Sequence, residues 1–214
     1  MNDSYLWNSL ARKNWKFYIY TDEGREISDE DFWKSGEKAY KDLVFDDEII
    51  TSHFPNKKDC RALEIGCGVG RILVPMSKDF GSVVGIDVSS EMVKLGKEMT
   101  QLELLETPGD TIPLSDNSVD FVLSYLVFQH IKSYVIVEDY FKEVYRVLKP
   151  GGVFKVLLRS ENQRKDKWYR TKMAWWNGVH FKGHMVDHLV RRFKYKELKR
   201  EDFDGGRVWL WIEK

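Results

Sequence analysis

The chain has 214 residues, 43% apolar and 14% aromatic, with 34 Lys and Arg matched by 34 Asp and Glu. This composition supplies a sizeable core and excludes the high-net-charge signature of disorder, and the length fits one α/β domain with additions. No run approaches the roughly 18 uninterrupted apolar residues of a membrane span, and "MNDSYLWNSLARKNWKFYIY" has no apolar core behind a basic segment, so a soluble, cytoplasmic protein is expected. Cys60 and Cys67, with no further cysteine, fit a reducing compartment rather than a disulfide framework or zinc cluster.

In chain order, the first 50 or so residues are aromatic and amphipathic (Trp7, Trp15, Phe17, Tyr18, Tyr20) and lead into the acidic "TDEGREISDEDFWKSGEKAY", which suits a helical lid. From Arg61 the pattern alternates. "RALEI" and "SVVGID" are short β-rich runs, and "GRILVPMSKDF" between them has apolar residues at helical spacing. "SEMVKLGKEMTQL" reads as a helix with Ser90 as its cap and Glu91 in the first turn. "DFVLSYLVF" is a buried strand running into a loop; "VIVEDYFKEVYRVL" is an amphipathic helix that "KPGG" stops before the strand "VFKVLL". Parallel neighbours need crossover helices, so the alternation predicts a doubly wound, mostly parallel sheet. The terminal "YKELKREDFDGGRVWLWIEK", two β-rich runs around Asp204, Gly205 and Gly206, reads as an antiparallel hairpin.

Three glycines, Gly66, Gly68 and Gly70, follow the first predicted strand. Glycine there permits a tight turn and close approach of a ligand to the backbone, while the next helix offers free N–H groups. Asp87 closes the second predicted strand, where a carboxylate can accept both hydroxyls of a ribose. The dinucleotide fingerprint wants a further glycine where Arg71 stands. Glu64, two residues before the turn, would repel a pyrophosphate and welcome a ligand with a cationic centre. Both features point away from NAD.

These residues resemble the class I S-adenosylmethionine-dependent methyltransferases, in particular the small-molecule group. "ALEIGCGVGRI" is similar to the first motif of that family and "VVGIDVSSEMV" to its second. "GDTIPLSDNSVDFVLSYLVFQHI" resembles the adenine-contacting segment with the fourth strand, and "EVYRVLKPGGVF" the turn into the fifth. The resemblance implies a Rossmann-like, mostly parallel seven-stranded sheet with a C-terminal antiparallel hairpin and an N-terminal helical lid. Within one domain, it implies a lid at 1–58, a cofactor-binding core at 59–158, a substrate-side insertion at 159–190 and the hairpin at 191–214. The cofactor would be S-adenosylmethionine. Glu64 would act near the methionine amino group, and Gly66, Cys67, Gly68 and Gly70 would line the turn beneath it. Asp87 would hold the ribose, Val88 and Met92 pack on the adenine, Asp110 accept from its exocyclic amine, and Thr111 contribute backbone. Ser124 and Tyr125 would border the methyl group.

A sulfonium methyl is already activated, so holding a nucleophile in line and excluding water supplies most of what is needed. If the acceptor must lose a proton, His130 is the candidate base, with the alternative that it is a loop histidine with no such role. Gln129 beside it could position substrate. Trp33 either closes the site, together with Gly36, or packs in the core. From Arg159 to Arg200 there are 13 Lys or Arg against Glu161, Asp166, Asp187 and Glu197. This stretch is read as a basic, aromatic acceptor wall including Arg159, Trp168, Tyr169, Trp175, Trp176 and His180, suited to an acidic or phosphorylated acceptor, or alternatively as a solvated face. His180, His184 and His188 share a spacing of four, but Gly178 and Gly183 interrupt the helix a metal site would need; no metal is expected. The expected partner is a small-molecule acceptor rather than a membrane or nucleic acid. An RNA or protein methyltransferase, or a non-catalytic cofactor-binding relative, is the alternative.

Overall fold

A computed structural model of the chain describes residues 3–20, 27–160, 178–203 and 206–214. Seven strands make a mostly parallel sheet with an antiparallel C-terminal hairpin. The chain divides into two compact units, Met1–Gly109 and Asp110–Lys214. No helix among the described residues is long and apolar enough to cross a membrane.

The first unit contains α1 (Asp3–Ile19), α2 (Asp29–Tyr40), α3 (Glu48–His53), β1 (Arg61–Ile65), α4 (Leu73–Asp79), β2 (Ser82–Asp87), α5 (Ser90–Thr100) and β3 (Glu103–Glu106). Its strands run parallel in the order β3-β2-β1, with Ile65 opposite Ile86 and Asp87 opposite Glu106. The apolar runs of β1 and β2 are buried, as strands covered on both faces must be. Strand β3, "ELLE", is absent from the sequence reading: it is four residues long and charged at both ends, and only Leu104 is fully buried. The α5 cap differs from expectation by one residue. Ser89, in extended conformation, accepts the Met92 N–H at 3.2 Å, and Ser90 is the first helical residue.

Helix α1 breaks at Asn14 (φ −168°, ψ 82°), whose side-chain oxygen accepts the Phe17 N–H at 3.1 Å and so caps the piece that follows. Its first piece is fastened to α5. Asn8 Oδ1 accepts from Ser89 Oγ at 2.7 Å and from the Glu91 N–H at 3.2 Å, while Arg12 pairs with Glu91 at 3.0 Å. Ala11, Phe32, Val69 and Met92 form a buried cluster with Trp15, Ile19, Tyr20, Trp33 and Leu95 packed against it. The predicted N-terminal helical segment thus shares a core with the glycine turn and α5.

The second unit contains β4 (Val119–Ser124), α6 (Tyr134–Val147), β5 (Leu148–Arg159), α7 (Gly183–Arg192), β6 (Lys196–Phe203) and β7 (Arg207–Glu213), with strands in the order β4-β5-β7-β6. Between β4 and β5 the parallel register jumps from Val119↔Leu148 to Phe121↔Val153, which accommodates "KPGG" with Gly151 at φ 79°. Helix α6 buries Val137, Tyr140, Phe141, Val144 and Val147, one stripe at helical spacing. Phe141 meets Phe128, Phe154 and Tyr195 edge-on, and each such ring buried stabilises the unit by about 1.5–3 kcal/mol. The hairpin forms as expected, with Lys196 opposite Glu213 and Phe203 opposite Arg207.

The described end of the basic stretch is regular structure with local counter-charges. Arg192 lies 3.4 Å from Glu138, Lys196 3.1 Å from Glu213, Lys199 2.5 Å from Glu201, and Arg200 2.7 Å from Asp187 and 2.6 Å from Glu197. From Gly183 onward the solvated-face reading therefore describes it better than an open cationic wall. His180 precedes α7, and His188 faces Glu138 at 3.3 Å, so the three histidines do not share one helix.

Candidate active site

In the first unit, β1 ends at Ile65 and the chain turns through Gly66 (φ 72°), Gly68 (φ 55°) and Gly70 (φ 89°). All three lie in the left-handed region, which explains glycine at alternate positions. The turn folds against the end of β2: Gly66 and Cys67 N–H both donate to the Ile86 carbonyl, at 2.8 and 3.1 Å. Asp87 fastens it further. One carboxylate oxygen accepts the Gly68 N–H and the other the Ser89 N–H, each at 2.9 Å, so this side chain joins the turn to the loop opening α5. Burial pushes the Asp87 carboxyl upward, opposed by the N–H groups of Ser89, Gly68 and Val88.

Glu64 lies beneath the turn, only 4% exposed. Its Oε2 is buried with no hydrogen-bond partner, the kind of orphaned charge-bearing atom that folded chains rarely keep without use. Burial raises its pKa to about 8, with Asp87 adding to the rise and Arg71 and the Leu73 N–H opposing it. A cation brought to that oxygen would favour the ionised form, so the position fits a cofactor with a cationic methionine end and does not fit a pyrophosphate. Cys67 is a packing residue: burial pushes its thiol up, and its Sγ lies 2.7 Å from where a Cβ on Gly85 would sit.

The N-terminal helices frame this turn. A Cβ on Gly68 would meet Ile19 Cδ1 at 2.9 Å, so Ile19 rests on the turn itself. A Cβ on Gly36 would fall 2.1 Å from the Arg71 carbonyl oxygen; Gly36 lets α2 approach the exit of the turn. Trp33 sits edge-on to Phe32, 5.2 Å between ring centroids, and packs against the buried cluster, as Met92 does from within it. Val88 is half-buried beside Gly109.

In the second unit, Asp110 and Thr111 stand at the start of a loop that Arg146 and Glu143 hold. Glu143 accepts the Ile112 N–H at 3.0 Å, and Arg146 donates to the carbonyls of Ile112 and Leu114, each at 2.8 Å. Strand β4 ends at the fully buried Ser124, and Tyr125 after it stacks on Trp209, 5.7 Å apart and 9° from parallel. Leu126 has φ 61°, an uncommon conformation for a bulky residue and of a kind that clusters at functional sites. In the short helical turn that follows, Gln129 is buried and its Nε2 lies 3.2 Å from His130 Nε2. An amide NH2 only donates, so this contact is a hydrogen bond when His130 carries its proton on Nδ1.

Arg159, 1% exposed, closes β5 directly opposite Arg207 of β7. Lys155, on the same face of β5, is buried with its Nζ 4.7 Å from the Trp209 ring and 4.8 Å from the Trp211 ring. Tyr169 and Trp176, with Trp168 and Trp175, lie outside the described residues. Asn8, Ile19, Leu126 and Arg207 carry no local signal in the sequence. Their significance comes from contacts or a backbone angle that leave no pattern along the chain.

A family described as a methyltransferase domain matches residues 63–156. A demethylmenaquinone methyltransferase of Staphylococcus carnosus is 35% identical over 112 residues, which cover 49% of this chain and 45% of the relative. The match thus spans under half the length of that relative. Among solved structures, a methyltransferase from Methanosarcina mazei superimposes with a TM-score of 0.65 at 20% identity, over 78% of this chain and 97% of the other. One from Mesorhizobium loti also gives 0.65, at 15% identity, over 81% and 99%. At those identities the likeness is one of fold.

Proposed function

We propose that the chain is a class I S-adenosylmethionine-dependent methyltransferase, supported by the matching methyltransferase-domain family and the fold, and that it transfers the methyl group of S-adenosylmethionine to a small-molecule acceptor. The observation that carries this reading is the buried, unpartnered Glu64 Oε2 beneath the glycine turn, with Asp87 at the end of the neighbouring strand. Glu64 meets the positive charge of the methionine end, the turn lets the backbone come close, and Asp87 accepts from the ribose. The bound sulfonium supplies an activated methyl group. The chain's own part is to bind, orient and deprotonate the acceptor.

His130 is the proposed proton acceptor. With its proton on Nδ1, His130 accepts from the Gln129 amide at Nε2, at 3.2 Å, and this contact occupies the one lone pair of that nitrogen. Nε2 takes the acceptor's proton once the Gln129 amide has turned away, and the resulting Nε2–H can then donate to the Gln129 oxygen. An acidic or phosphorylated acceptor is the proposed class, supported by the excess of basic residues from Arg159 to Lys182, seven Lys or Arg against Glu161 and Asp166. A demethylmenaquinone acceptor is the second reading, favoured by the named relative at 35% identity.

Metabolite extracts incubated with methyl-labelled cofactor, followed by mass identification of the product, test the reading. One labelled small acid supports it; a labelled quinol supports the second reading. Label in RNA or protein, or tight cofactor binding without transfer, rejects both. With the acceptor in hand, His130→Ala should lower kcat by about 10²-fold or more with cofactor affinity unchanged. An effect confined to KM would leave His130 a positioning role only.

A further inference from the structure

We propose that Gly178 is a positioning residue: it lets the returning chain strap down the peptide between Gln129 and His130, and so sets the orientation of that pair. The Gly178 N–H donates to the Gln129 carbonyl at 3.0 Å and the Val179 N–H to the Ile131 carbonyl at 2.8 Å, so two bonds bracket His130. The strap passes too close for any side chain. A Cβ on Gly178 would lie 2.2 Å from the Gln129 oxygen, 2.4 Å from its carbonyl carbon and 2.8 Å from the His130 nitrogen. These are backbone atoms, which cannot swing aside as a flexible side chain would.

The strap is also anchored at its far end. The Phe181 N–H donates to the Arg159 carbonyl at 2.7 Å, Phe181 bridges Ser160, and the Ser160 N–H donates to the Gly206 carbonyl at 2.8 Å. Phe181 itself is buried, with the Tyr134 ring 6.3 Å away. Added bulk at Gly178 therefore cannot be absorbed by sliding the strap outward. The Gln129–His130 peptide has to turn, and the 3.2 Å side-chain contact that selects the His130 tautomer turns with it. The importance of this device for turnover rests on the reading of His130 as proton acceptor; its existence does not.

The test uses Gly178→Ala in the full chain with ring-¹⁵N-labelled histidine, the His130 signals being identified by their loss in His130→Ala. The expected result is a change of the His130 ring shifts, reporting tautomer population, with those of His53, His184 and His188 unmoved. Affinity for the demethylated cofactor should stay within about twofold, and kcat for the identified acceptor should fall about tenfold or more while KM changes less. Unchanged His130 signals in a folded Gly178→Ala protein overturn the proposal, as do shifts common to all histidines. Altered His130 signals with undiminished kcat support the strap and reject His130 as proton acceptor. Should Gly178→Ala not fold, Val179→Pro removes one strap bond while leaving Gly178 in place; unmoved His130 signals there likewise overturn it.

Discussion

Asp87→Ala is expected to weaken binding of the demethylated cofactor by about 1.5–3 kcal/mol, roughly 10- to 150-fold, the range for hydrogen bonds to a charged group. The geometry adds a second effect. Asp87 also accepts the N–H groups of Gly68 and Ser89, so its removal leaves two partly buried donors at the glycine turn and the α5 cap, at a cost of about 1–3 kcal/mol in stability for each left unsatisfied. Asp87→Asn separates the two effects only in part, because one of its atoms would turn an N–H against a backbone N–H. Calorimetry for affinity and denaturant melts for stability measure both. An Asp87→Ala protein with parental affinity, or a parent that prefers NAD, would end the assignment of this turn to S-adenosylmethionine.

The second large effect is a pH dependence centred on Glu64. Its pKa in the folded protein is about 8 against an ordinary 4.5. Between those values the folded chain keeps a proton that the unfolded chain has released, so stability falls as pH rises across that window and levels off below it. The span is on the order of a few kcal/mol, since each tenfold difference in proton affinity between the two states is worth about 1.4 kcal/mol. Asp87 moves in the same direction, so the contrast between parent and Glu64→Gln isolates Glu64. The variant should show a flatter pH–stability curve from pH 5 to 8.5 and weaker cofactor binding at pH 8. In the parent, a cationic methionine end favours the carboxylate, so binding near pH 7 should release a proton and tighten as pH rises toward 8. Calorimetry in buffers of contrasting ionisation heat reads that proton directly. Identical pH–stability curves for parent and variant, with no proton released on binding, would remove Glu64 from the cofactor site.

The parts legible in the sequence are those with a local cause. Alternating apolar runs mark β1, β2, β4 and β5, the stripe from Val137 to Val147 marks α6, and alternate glycines after a strand mark a turn that only positive φ allows. Asp87 is legible because a carboxylate at the end of the second strand has a recognisable place in such folds. What tertiary structure decided depends on residues far apart in the chain. Glu64 acquires a pKa of about 8 only because packing buries it beneath the turn and excludes water, with Asp87 adding to the rise and Arg71 opposing it. Asn8 becomes part of the α5 cap only when α1 docks, some 80 residues away in sequence. Arg159 and Arg207 face each other through the register of β5 on β7, and the acids along α6, α7 and the hairpin neutralise a stretch that looks basic when read linearly. Gly178 reads in the sequence as a helix interruption; against the Gln129 carbonyl it is the one residue type that fits. Periodicity and turn chemistry act within a few residues and can be read along the chain, whereas desolvation, charge pairing and close backbone approach exist only after packing has brought distant segments together.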